Sequence, residues 1–161
     1  QFRIPLRDGS APAPQWQSWL ETYRNWIIWL HRSPEEARAQ PARALFQAYG
    51  LISRFMNTVE AASTSAWESQ QATLPDSLTD EEIEALKTGL QKGVRDRLLI
   101  EIEEATREAA IHLSHHVPFP ALPLTRAILA LESITGLLAL NMRDDTALEA
   151  FLLQSLRIWA G

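Results

Sequence analysis

The stretch that most constrains this chain is Leu122–Met142, LPLTRAILALESITGLLALNM, in which almost every position from Leu124 onward is apolar or small and only Arg126 and Glu132 are charged. A helix that is apolar on all sides is normally a buried one. The stretch therefore predicts the central helix of an all-α bundle. Crossing a bilayer takes about 20 uninterrupted apolar residues, and Glu132 near the centre would cost roughly 2.5–3.5 kcal/mol on an insertion scale. No membrane span is expected. Gly136, Ala127, Ala130 and Ala139 are small positions at which neighbouring helices could approach closely.

The rest of the chain supplies further helices. Trp16, Trp19, Leu20, Tyr23, Ile27 and Leu30 recur at steps of three and four, predicting a first helix near Gln15 to His31. Ser33-Pro34-Glu35-Glu36 and Thr79-Asp80-Glu81-Glu82 have the pattern of capping boxes, and Asp144/Asp145-Thr146 with Glu149 repeats it before a last helix. Pro41 restarts the chain. From there Leu45, Ala48, Ile52, Phe55, Val59, Ala62 and Ala66 form a heptad seam that fades near Gln71. A long helix over Thr79–His115 carries the seam Ile83, Leu86, Leu90, Val94, Leu98, Ile102, Ala105, Ala109 and Leu113, with Gly89 and Gly93 marking a kink or a close crossing. Leu148, Leu152, Leu156 and Trp159 make the stripe of the last helix, with Phe151 beside them. The expected fold is a five- or six-helix all-α bundle over residues 16–161, preceded by an extended, Pro-containing arm over 1–15.

Composition narrows the function classes. The chain has 161 residues, no cysteine and a net charge of −5. A thiol nucleophile and a disulfide framework are excluded. The acidity, concentrated in the second half, argues against a nucleic-acid partner held by phosphate neutralisation. The sequence contains no Gly-rich phosphate loop, G-x-S-x-G or H-E-x-x-H, so an enzyme is not the expectation and no cofactor is implied. There is no signal-peptide-like apolar segment, and the chain begins at Gln1, leaving open a processed or an excised terminus. A soluble, cytoplasmic setting is slightly favoured.

Three candidate sites remain. Four of the six tryptophans fall in the first helix, where WIIWL is apolar nearly all round. Trp19, Tyr23, Trp26, Ile28 and Trp29 are therefore candidate interface residues for a protein partner or a second copy of the chain. Glu132 with Trp26 is a candidate for an apolar ligand pocket. On the long helix Glu101, Glu104, Glu108, His112 and His115 form one stripe, with Glu108, His112 and His115 as candidate metal ligands. No second helix offers a matching donor pair, and a solvated flank is the simpler reading of the stripe. The sequence as a whole points to a non-enzymatic helical interaction module, such as an adaptor, chaperone or regulatory subunit. A ligand-binding or sensory helical domain is the alternative, and a metal-binding bundle is the third reading.

Overall fold

A computed structural model describes residues 13–161. The expected arm lies outside these residues except for its last three, which already belong to the first helix. Six helices follow one another: α1 (Ala13–Arg32), α2 (Pro34–Ala39), α3 (Pro41–Gln71), α4 (Asp80–Leu113), α5 (Ala121–Ala139) and α6 (Asp144–Ala160). Among the described residues there is no strand, and the expected all-α bundle is what the chain forms.

Helix boundaries follow local chemistry in some places and tertiary contacts in others. The Thr79 hydroxyl accepts from the Glu82 backbone N–H at 3.1 Å, while the Glu82 carboxylate accepts from the Thr79 N–H at 3.1 Å, so this capping box forms as expected. The other two do not form. Ser33 makes no side-chain cap bond, and Glu36 pairs instead with Arg43 at 3.1 Å. Helix α6 begins at Asp144, before Thr146, and its cap residue Arg143 makes no side-chain cap bond. Between α5 and α6, Asn141 adopts φ 66°. Its N–H donates to Leu138 O at 3.0 Å, and the Met142 N–H donates to Leu137 O at 3.2 Å. These two bonds are a Schellman cap, which requires a left-handed residue and accepts Asn there.

Helix α5 lies at the edge of the bundle, and this corrects the expectation of a central helix for the Leu122–Met142 stretch. Helix α1 packs against α2, α3, α4 and α6, whereas α5 packs on α4 and α6 alone. On α1, Trp16, Trp19, Leu20, Tyr23, Trp26, Ile27 and Leu30 are all buried. On α5 the buried residues are Ala127, Ala130, Leu131, Ile134 and Leu138, a single stripe. The physical reason is size. A buried Trp or Tyr removes roughly 150–250 Å² from water, so the helices gather round the bulky rings, and the Ala-, Gly- and Ser-bearing helix is left at the edge.

The core runs along a column of rings. Trp19 stacks between Trp16 at 4.9 Å and Tyr23 at 5.5 Å, Phe55 of α3 wedges against both tryptophans, and Phe151 of α6 lies 6.3 Å from Tyr23. The Trp19 indole donates to the Leu51 carbonyl at 2.8 Å. At the far end, His31 contacts the Trp159 carbonyl at 3.3 Å and Arg38 donates to the Ala160 carbonyl at 3.2 Å, serving acceptors that the end of α6 leaves open.

Two details of the expected seams shift. On α3, Ala44 and Leu51 are buried, while Leu45 is exposed and Ile52 is half-buried, because α3 turns its seam toward both α1 and α6. On α4, a Cβ added at Gly89 or Gly93 would meet nothing within 4 Å, and the same holds at Gly136 on α5. None of the three glycines marks a close crossing.

Candidate functional site

The aromatic residues of α1 are not a surface. Trp19 and Tyr23 are fully buried and Trp26 is 2% exposed, while Ile28 and Trp29 are half-buried against the same core. Arg43 covers the Trp29 ring, its guanidinium carbon 4.5 Å from the centroid. Trp26, Ile27 and Leu30 of the WIIWL segment are buried, which is where most of its apolar surface goes. Of the expected interface residues, Trp19, Tyr23 and Trp26 are therefore corrected to core, while Ile28 and Trp29 keep part of their surface exposed. The indole N–H groups of Trp16, Trp26, Trp29 and Trp159 are buried without a partner, so these rings are held by area and shape rather than by hydrogen bonds.

The proposed pairing of Glu132 with Trp26 also fails on geometry. Glu132 is exposed on α5, Trp26 is buried on α1, and the two helices do not pack on each other.

On α4 the stripe ends at exposed His112, because the helix stops at Leu113, short of the expected His115. Exposed His115 and His116 lie in the turn beyond it, with ring centroids 6.4 Å and 6.2 Å from that of His112. Glu108 is engaged by Arg24 of α1 at 3.2 Å. Among the described residues no group of three or more His, Asp or Glu side chains converges to hold a metal ion. Glu108 and His112 come from α4 and His115 from the turn after it, and the neighbour that reaches the stripe contributes a cation.

What the structure does expose is α5. It is the one helix among the described residues long and apolar enough to cross a membrane, yet only 28% of that apolar window is buried. Leu122, Leu129 and Leu140 are 59%, 58% and 79% exposed. At 100° per residue these three fall within about 20° of one another and form a single line along the helix. Phe119, just before α5, is also exposed. The line borders an open depression between α5 and α6, with Leu129, Ala130 and Ile158 as its apolar lining and Arg126 and Arg157 beside them. A second open depression, on α3, is polar and lined by Asn57, Glu60, Thr64 and Glu68 among others.

A signal for this surface was present in the sequence. Thr125, Arg126, Glu132 and Ser133 all fall within about 120° of arc on a helical wheel, opposite the stripe that Ala127, Leu131, Ile134 and Leu138 bury. Overall apolarity masked that sidedness. No family model matches the chain, and neither a curated protein nor a solved structure matches it.

Proposed function

We propose that this domain is a non-enzymatic helical interaction module, an adaptor or regulatory subunit, that engages a protein partner through the outer face of α5. The observation that supports this reading is the exposed leucine line of Leu122, Leu129 and Leu140 on a helix packed on one side only. Isolated exposed leucines are ordinary, but here three are aligned on one face, with Arg126 and Ser133 interspersed, and so offer apolar anchors to another surface. The tryptophans of α1 have no part in it, being consumed by the core.

The test is site-directed photocross-linking in extracts of the native source. A photoreactive side chain at Leu129 is expected to yield an adduct of defined mass, one that disappears in a Leu122→Glu/Leu140→Glu background. The same probe at exposed Glu84 on α4 is expected to yield none. Equal labelling from both positions, or no adduct from Leu129, overturns the proposal.

A further inference from the structure

The depression between α5 and α6 carries information about what fits it, and the inference drawn from it rests on the interaction reading above. Its lining comes from two packed helices, with Leu129 and Ala130 on one side and Ile158 on the other. The charged residues in its lining are Arg126 from α5 and Arg157 from α6, and the polar remainder, Ser133 and Gln154, is neutral. Glu132, about 120° round α5 from Arg126, is not part of the lining.

Neither arginine is in an ion pair among the described residues. Arg24, Arg43, Arg95, Arg107 and Arg143 each have a carboxylate within 3.2 Å. In a chain of net charge −5, the groove is thus an apolar strip with two uncompensated cations at its edge.

We infer that the groove accepts an acidic amphipathic helix of a partner protein, with its apolar stripe on Leu129 and Ile158 and its Asp or Glu flanks against Arg126 and Arg157. A third helix laid in the furrow between two others is a recurrent recognition mode. The groove's lining on α5 runs from Arg126 to Ser133, about 10 Å at 1.5 Å per residue, enough to seat two turns of a helix. The charge sign follows from desolvation. An apolar occupant would strip water from two guanidinium groups with nothing in return, and a basic one would add like-charge repulsion. The arginines select the partner, and the leucines hold it.

The experiment is a display selection on the full chain. The library consists of 18-residue amphipathic helices with a fixed leucine stripe and with flanking positions randomised between Glu and Lys. Enriched peptides are expected to favour Glu over Lys by about fivefold, as two exposed ion pairs would give. The preference should invert with Arg126→Glu/Arg157→Glu, whose fold is checked by circular dichroism. No enrichment, or a preference unmoved by charge reversal, overturns the inference. An adduct at Leu129 would then leave the interaction reading standing, whereas its absence would sink both. Two further results would also overturn the inference. One is a dimer by light scattering that Leu129→Glu dissolves, which assigns the groove to a second copy. The other is binding to phosphatidylserine vesicles that the double variant abolishes, which assigns it to a lipid surface.

Discussion

Tyr23 on α1 donates its hydroxyl proton to Thr106 on α4 across 2.8 Å in the buried core. The direction follows from the next link, because the Thr106 hydroxyl lies 2.7 Å from the Ile102 carbonyl, which can only accept. The Thr106 proton is thereby committed, and Tyr23 must be the donor. The pair ties α1 to α4, the longest helix, at a buried point of the core.

The two ends of this bond should respond unequally to mutation. Tyr23→Phe removes the donor and leaves Thr106 bonded to Ile102, for an expected loss of about 1 kcal/mol. Thr106→Val keeps the shape but strands a buried phenol O–H, for about 2–3 kcal/mol. Urea denaturation decides, and a smaller loss for Thr106→Val would contradict the assigned direction. Burial also raises the Tyr23 phenol well above its usual value of 10. Above pH 10 the unfolded chain sheds a proton that the folded chain keeps, so stability contributed by this group falls as pH rises. Tyr23→Phe should flatten part of that alkaline decline.

Helix α5 gives a paired test of its one-sided packing. Leu131 is 4% exposed and Leu129 is 58% exposed, two positions apart. Leu131→Asp buries an unpaired charge and should unfold the protein or cost at least about 4 kcal/mol. Leu129→Asp should stay within about 0.5 kcal/mol of the parent. Thermal melts that move together would show α5 to be enclosed.

Arg95 is buried on α4 and bridges Asp96 at 3.0 Å and Asp144 of α6 at 3.1 Å. The Asp144 side chain is 17% exposed and that of Asp96 is 53% exposed. Asp144→Ala should cost about 2–3 kcal/mol because it leaves the guanidinium under-compensated inside the protein. Asp96→Ala should cost under about 1 kcal/mol. Denaturant midpoints that shift equally would show that burial does not set the difference.

The caps provide a local test. Thr79→Ala removes the side-chain bond of a formed capping box, leaving the backbone N–H to the Glu82 carboxylate, and should cost about 1 kcal/mol. Ser33→Ala removes no cap bond and should cost no more than a few tenths. Chemical denaturation of the two variants side by side would reveal a reversed order.

Iodide quenching would report the tryptophan core directly. Trp16, Trp19, Trp26 and Trp159 are buried, whereas Trp29 and Trp67 are half-buried, with Lys87 over the Trp67 ring at 5.1 Å. Most of the emission is expected to resist the quencher, and Trp67→Phe should remove much of the accessible part. Uniform quenching would place the α1 indoles at the surface.

Local chemistry alone determined much of this molecule. The step of three and four from Trp16 to Leu30 made α1 and chose its buried face. The Thr79 box started α4 where its side chains dictate, and the seam from Leu90 to Leu113 is buried as its spacing requires. Each of these depends on contacts within a few residues, so the sequence carries them whole. Which helix lies at the centre does not depend on such contacts. Apolarity states how much a helix could bury, but the amount it does bury is set by competition among all six for a limited interior. Trp19, Tyr23 and Trp26 won that competition on size, so the most apolar helix was left with Leu122, Leu129 and Leu140 in the open. The groove with Arg126 and Arg157 is decided at the same level, because the two arginines lie 31 positions apart and meet only through the packing of α5 on α6.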